Sequence, residues 1–199
     1  METLTIRPAR LEDAPVLRDL YAPYVEHTAI TFEYEAPTPS EFARRMERVL
    51  RRYPYLAAER DGRVVGYAYA SPFKERAAYD WAVETSIYVA EDAQRSGAGG
   101  TLYRALEAVL AAQNVLNLNA CIAVPAQGED PYLTENSAQF HGHWGYRLVG
   151  RFHKCGYKFG RWYDMIWMEK FLGEHPERPQ AVISFPELLE RGEVSRLLL

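Results

Sequence analysis

Apolar positions along this chain switch between two rhythms, and the switches mark out its elements. "LTIRPA" (4–9) alternates, as a strand does when one face is buried. Leu11, Ala14, Leu17, Leu20, Tyr21 and Tyr24 then recur at helical spacing. After the loop "EHTAITFEYEAP", "TPSE" (38–41) has the marks of a helix start: Thr38 as N-cap, Pro39 at the first helical position, Glu41 three residues past the cap. Phe42, Met46, Val49, Leu50 and Tyr53 continue it as one buried face. "YLAAER" and "RVVGYAYA" flank Asp61-Gly62, a two-residue hairpin signal. "DWAVETSIYVA" (80–90) reads as a strand and Gly97–Gln113 as a helix with Leu102, Leu106, Val109 and Leu110 on one side. "LNLNACIAV" (116–124) is a further strand. A short helix over Asn136–Trp144 ends at Gly145, and strands follow over Tyr146–Tyr157 and Trp162–Glu169.

The order β-α-α-β-β-β-α-β-α-β-β predicts an α/β fold, a mostly antiparallel mixed sheet flanked by helices. Residues 1–172 form the predicted domain. From Gly173 onward, three prolines and no visible partner elements predict an extension (173–199) wrapping the domain or a neighbouring subunit.

Composition narrows the class. With 48% apolar and 25% charged residues and a net charge of −4, the chain is an ordinary globular one. No basic stripe points to nucleic acid. The densest basic run (Arg44, Arg45, Arg48, Arg51 and Arg52) alternates with an apolar helix face and reads as solvated. Cys121 and Cys155 form no CxxC pair or His/Cys cluster, so neither a disulfide framework nor a metal site is expected. Cys121, mid-strand among apolar residues, reads as core filler. The N-terminus lacks a signal-peptide layout, and no uncharged run approaches the roughly 20 residues of a membrane span. The reading is cytoplasmic.

"QRSGAG" (94–99) lies between a strand and a helix start, where unpaired backbone N–H groups suit a phosphate. A P-loop fails there, because Gly99-Gly100-Thr101 lacks the lysine. A dinucleotide fingerprint fails too, because Leu102 stands where its third glycine belongs. Gln94-Arg95-Ser96-Gly97-Ala98-Gly99 resembles the pyrophosphate loop of the GNAT N-acetyltransferases, Gln/Arg-x-x-Gly-x-Gly/Ala, at every defined position. "SPFKERAAYDWAVETSIYV", "QRSGAGGTLY" and "GYKFGRWYDMIWME" (156–169) resemble the phosphinothricin and methionine-sulfoximine N-acetyltransferase branch, over residues 3–170.

That resemblance implies the GNAT acyl-CoA N-acyltransferase fold, acetyl-CoA as co-substrate, a small-molecule amine as acceptor, and a homodimer. The expected cofactor contacts are Ile87, Tyr88 and Val89, the loop Gln94, Arg95, Ser96, Gly97, Ala98, Gly99, Gly100 and Thr101, and Asn136 with Ser137. It also implies backbone N–H groups near Ile87 and Val89 as oxyanion donors. One departure stands out: Glu33-Tyr34 lies where the herbicide-detoxifying members carry a basic residue. Glu33 would oppose a second anionic group on the substrate.

An alkyl ammonium has a pKa of about 10, so acetyl transfer at neutral pH calls for a base. Glu84, alternating with Val83 on the strand that enters the cofactor site, is the candidate, and the resemblance implies a catalytic carboxylate there. His141 stands four residues before Gly145-Tyr146, where the superfamily presents a tyrosine and this branch a histidine. As imidazolium it would protonate the leaving thiolate; as neutral imidazole it would relay a proton. His143 points to another helix face. Lys74, Arg76, Tyr79 and Trp81 suit a carboxylate-bearing substrate. Tyr34, Lys158 and Arg161 are second-rank candidates, while Phe159 and Trp162 read as packing residues. The alternatives are a non-catalytic acyl-CoA-binding module and a protein or peptide acetyltransferase. Glu84 and His141 together favour the small-molecule enzyme.

Overall fold

Local signals and local structure agree over most of the chain. In the computed structural model, which describes residues 4–198, the Thr38 hydroxyl accepts the Glu41 N–H at 3.2 Å and starts α2 (Pro39–Leu50). The opening alternation becomes β1 (Leu4–Pro8), and α1 (Ala14–His27) follows. Asp61-Gly62 turns β2 (Tyr55–Arg60) into β3 (Arg63–Pro72). The remaining elements are β4 (Ala82–Val89), α3 (Ala98–Ala112), β5 (Asn117–Pro125), α4 (Asn136–His143), β6 (Arg147–Lys158) and β7 (Arg161–Phe171).

Seven strands form one sheet in the order β1-β2-β3-β4-β5-β7-β6. Every neighbouring pair is antiparallel except β4 and β5. That parallel pair holds only over Ala82↔Asn117, Val83↔Leu118 and Glu84↔Asn119. At its end side chains replace the ladder: Asn119 donates to the Val83 carbonyl at 3.1 Å and the Thr85 hydroxyl to the Asn119 carbonyl at 3.3 Å. Beyond Glu84 the two strands part, and the sheet carries a slot.

The two faces are covered differently. Leu102, Leu106, Val109 and Leu110 of α3 pack with Leu56, Ala68, Val83 and Leu118 on one. On the other, Leu17 and Tyr21 of α1 and Phe42 and Met46 of α2 pack over Tyr55 and Tyr67.

The C-terminal segment corrects an expectation. It has elements of its own, α5 (Phe185–Glu190) and α6 (Val194–Leu197), where none were expected, and of the two expected partners it packs on its own domain. Ser184 caps α5 by accepting the Glu187 N–H at 3.3 Å, while Phe185, Leu188 and Val194 are fully buried in the α3-side core. Gln113 fastens the segment from within, donating to the carbonyls of Ile183 (2.7 Å) and Arg52 (2.9 Å). Among the described residues no helix is long and apolar enough to cross a membrane. Among the same residues no cluster of three or more His, Cys, Asp and Glu is placed to hold a metal.

Candidate active site

Where β4 and β5 separate, Thr85–Tyr88 and Ala120–Ala123 form the two walls of a slot of about 60 Å³. Ser137 and His141 of α4 and Ile30 complete its lining. Strand alternation sends Val83 and Thr85 to the α3 face and Glu84, Ser86 and Tyr88 to the other. The Tyr88 ring meets those of Tyr21 and Tyr24 edge-on there, with centroids 4.9 and 5.1 Å away.

Glu84 stands on that second face at the fork, half-buried. Burial raises its pKa above the ordinary value, and the charge of Lys74 offsets part of the rise. No hydrogen bond is among the causes of that shift, and a buried carboxyl so perturbed marks a candidate functional group.

His141, fully buried, serves the opposite face. The Ser137 carbonyl can only accept, so Nδ1 carries the proton and donates to it at 2.7 Å. Nε2 accepts from the Tyr103 hydroxyl, also at 2.7 Å. Burial lowers the His141 pKa below its ordinary 6.5, with the Ser137 carbonyl opposing. The lowered pKa favours the neutral ring, with Nδ1 as its donor and Nε2 as its acceptor. Beside it, the Tyr146 hydroxyl lies 3.0 Å from Thr85 Oγ1. Sequence reasoning missed Tyr103. Its only signal is a tyrosine standing beside Leu102 on an otherwise apolar helix face. His143 is exposed.

In the 94–101 loop Gly97 has φ +87° and caps α3, a conformation that favours glycine. The N–H groups of Ala98, Gly99 and Gly100 precede the first in-helix acceptor and open toward the loop; Thr101 N–H, bonded to the Gly97 carbonyl at 3.0 Å, is the first one satisfied. Gly100 answers to packing instead: a Cβ there would lie 2.7 Å from the Trp144 ring. Val89 also departs from expectation. Its N–H donates to the Tyr24 hydroxyl at 3.2 Å, and that hydroxyl donates to the Val89 carbonyl and accepts from Gln94 at 3.2 Å. Tyr24 of α1 thus occupies the Val89 amide. The Ile87 amide is differently placed. Ala90 N–H bonds the Val65 carbonyl of β3, and in an antiparallel ladder this register turns the Ile87 N–H away from β3, into the slot. Asn136 is exposed at the start of α4, and Ser137 lines the slot through the residue whose carbonyl holds His141.

At the acceptor end Lys74 lies over the rings of Phe73 and Trp167, 4.9 and 5.8 Å from their centroids. Tyr79 packs edge-on against Phe73 at 5.9 Å, and Arg76 is exposed. Other candidates are engaged elsewhere. The Trp81 indole N–H donates to the Gln180 carbonyl at 2.7 Å and anchors the C-terminal segment. Lys158 is buried, its ammonium donating to the carbonyls of Val25, Thr28 and Thr31 at 2.7–2.9 Å. It ties down the end of α1 and the loop after it. Tyr34 is exposed and donates to the Tyr157 carbonyl at 2.6 Å, while Arg161 lies 3.5 Å from Asp130. Phe159 stacks on Tyr132. Trp162 is exposed, contrary to its reading as a packing residue.

Three further readings change. Arg45 is not a solvated helix residue: it pairs with Glu33 and Glu41. Glu33, so paired, is not a bare charge. Cys121 faces the slot rather than the core; partial desolvation there, then the Glu84 charge, raises its thiol pKa above the ordinary value, which leaves it a poor nucleophile.

Residues 6–167 match the Acetyltransferase (GNAT) domain family. The chain is 39% identical over 175 residues to a phosphinothricin N-acetyltransferase of Streptomyces viridochromogenes, covering 87% of this chain and 91% of that one. It is 29% identical over 175 residues to an L-methionine sulfoximine/L-methionine sulfone acetyltransferase of Salmonella typhimurium, covering 86% and 96%. A solved GNAT-superfamily phosphinothricin acetyltransferase from Sinorhizobium meliloti, in complex with AcCoA, shares the fold with a TM-score of 0.80 at 30% identity, over 93% of this chain and 97% of that one. On the family match, the relatives' lengths and the shared fold together, the chain belongs to the GNAT acetyltransferases, N-acetyltransferases that draw their acetyl group from acetyl-CoA.

Proposed function

We propose that this protein acetylates the α-amine of a small amino acid or a toxic amino-acid analogue, with Glu84 as the general base. The observation that carries the reading is Glu84 itself, a half-buried carboxyl with a raised pKa at the fork of β4 and β5. The open amides of Ala98–Gly100, the glycine corner at Gly97 and the narrow slot fit a pyrophosphate followed by an extended arm. When bound, acetyl-CoA supplies a thioester carbonyl to the amine. Glu84, directly or through a water, takes the ammonium proton. The Ile87 N–H donates to the carbonyl oxygen as charge develops on it. The second amine proton, lost as the tetrahedral adduct collapses, goes to the departing sulfur, while His141, neutral and fixed by Tyr103 and Ser137, holds the slot wall beside it. Lys74 and Arg76, backed by aromatic rings, hold the substrate carboxylate.

The test is an amine panel (amino acids, phosphinothricin, methionine sulfone, polyamines and short peptides) assayed for free CoA. Amino acids and their analogues are expected to lead. Equal turnover of amines that lack a carboxylate would refute the acceptor class. The acid limb of kcat/KM is expected above the ordinary carboxylate range, because Glu84 must be ionised and its pKa is raised.

The same reading includes a homodimer, through the sheet edge and not through the C-terminal segment. The C-terminal segment covers its own domain, whereas edge strand β6 and its neighbour leave Leu148, Val149, Phe152 and Trp162 each more than half exposed. A long apolar edge invites pairing. Light scattering at micromolar concentration is expected to give twice the 22.8 kDa of one chain. The two free thiols fit a reducing, cytoplasmic setting.

A further inference from the structure

On the α1/α2 face a closed ion-pair cluster is joined to the slot lining through Tyr21 and Tyr88, and the transfer step makes no use of it. Arg45 gives one guanidinium N–H to each oxygen of Glu33, at 2.7 and 3.2 Å, and another to Glu41 at 2.6 Å. Tyr21 donates its hydroxyl to the same Glu33 at 3.0 Å. The cluster reaches the active site by two routes. Tyr21 packs against Tyr88, which lines the slot, as does Ile30, three residues before Glu33. Tyr69, stacked on Tyr55 with centroids 4.7 Å apart, pairs across strands with Ser86, two residues from Glu84. Its hydroxyl lies in the field of Glu84 as well as of Arg45 and Glu33. The pair is open to solutes, with 42% of the Arg45 side chain and 34% of Glu33 exposed.

Glu33 takes the Nη1/Nη2 edge of the guanidinium and Glu41 a further Nη2 hydrogen, so another anion meets an edge already held by a carboxylate. We propose that the Glu33–Arg45 pair selects the acceptor's side chain. Closed on itself, it disfavours amino acids that bear a second anionic group and favours neutral, hydrogen-bonding side chains of the sulfone or sulfoximine kind. An anionic side chain has to displace Glu33 from Arg45, leaving a carboxylate without its cation, whereas a neutral one leaves the fork intact. This inference rests on the amino-acid reading above.

The experiment compares kcat/KM for phosphinothricin, whose side chain is an anion, and methionine sulfone, whose side chain is neutral. It uses the full chain as wild type, Glu33→Gln and Arg45→Gln. Wild type is expected to favour the sulfone. Glu33→Gln keeps the side-chain size and frees one edge of Arg45, so the ratio is expected to move toward phosphinothricin by about fivefold or more. Arg45→Gln leaves two carboxylates uncompensated and moves the ratio the other way. Should Glu33→Gln not fold, the direction of the Arg45→Gln shift decides the question by itself. Ratios within about twofold of wild type in folded variants of unchanged acetyl-CoA affinity overturn the selector and leave the amino-acid reading standing. A wild-type protein that acetylates no amino acid overturns both.

Discussion

β4 delivers its side chains to two unlike environments. Val83 and Thr85 enter the α3 face, an aliphatic core where His141, Tyr103, Thr85 and Tyr146 pair their polar atoms with one another or with backbone carbonyls. Glu84, Ser86 and Tyr88, each partly exposed, enter a tyrosine-rich face whose outer part carries the charges Lys74, Glu33 and Arg45. One period-two strand therefore makes a dry wall and a wet one, and its parting from β5 joins them. The division suits a reaction in which an ammonium proton must leave toward solvent while the thioester carbonyl is held in a fixed polar setting. Both walls shift the pKa of a key group by burial, yet with opposite consequences: a raised carboxyl on one side, a depressed imidazole on the other.

Glu84→Gln is the sharpest way to separate the walls. It is expected to lower kcat/KM by roughly 10²–10⁴-fold, the usual effect of a positioned base, with acetyl-CoA affinity held within a few-fold. Stability supplies an independent check. Because the folded pKa of Glu84 is raised, its favourable contribution is present below the ordinary carboxylate pKa and lost as pH rises through the folded value. At neutral pH wild type bears the cost of a half-buried charge and the glutamine does not. Thermal melts at pH 7 are therefore expected to show the variant as stable as wild type or more so. A large loss of stability with near-normal turnover would make Glu84 a structural residue.

Gly99→Asp addresses the cofactor end alone. Gly99 sits one residue into α3, and a Cβ there would be in ordinary contact with the Phe140 ring at 3.4 Å. A carboxylate added there brings a negative charge to the helix start whose open N–H groups are assigned to the pyrophosphate. Acetyl-CoA binding is expected to weaken by more than tenfold, each tenfold being about 1.4 kcal/mol. Gly99→Ala serves as the steric control. Unchanged calorimetric affinity in folded Gly99→Asp would detach the loop from the cofactor.

What the sequence shows and what it hides follow from the same physics. The element order, the loop and Glu84 are legible because periodicity, glycines and a charged residue on an apolar strand are local signals. The partners of Arg45 are not, since helix periodicity gives its face but not that Glu33, twelve residues earlier, folds across to meet it. Lys158 is hidden in the same way: three carbonyls from α1 and its loop surround it, and none is near it in sequence. Ser184 does carry a local signal. "SFPE" has the same cap, early proline and Glu spacing as "TPSE", but its helix is six residues long and too short for periodicity to register. Cys121 fails for a tertiary reason, because a residue that would be packed in a continuous sheet faces solvent where the sheet splits.

Tyr103→Phe carries the smallest expected effect and tests the dry wall. Among the described residues its hydroxyl is the group that donates to Nε2 of His141, at 2.7 Å. Removing it leaves a buried acceptor unpaired, which costs on the order of 1–3 kcal/mol of stability. Tyr103 acts through His141 and not on the reacting atoms, so kcat is expected to fall by about tenfold or less with KM for acetyl-CoA nearly unchanged. The pH dependence separates positioning from packing. With its folded pKa lowered, His141 contributes stability that is present above its ordinary 6.5 and lost as pH falls below it. The donated bond favours the neutral ring, so without it the folded pKa moves back up and the variant loses less than wild type on acidification. The stability gap between the two is therefore expected to be widest near pH 8 and to close toward pH 5. It is also opposite in sign to the effect of Glu84→Gln, which relieves a buried charge where Tyr103→Phe strands a buried lone pair. A gap constant with pH would mean that the tyrosine only fills space, and the contrast between the two walls of β4 would lose its electrostatic content.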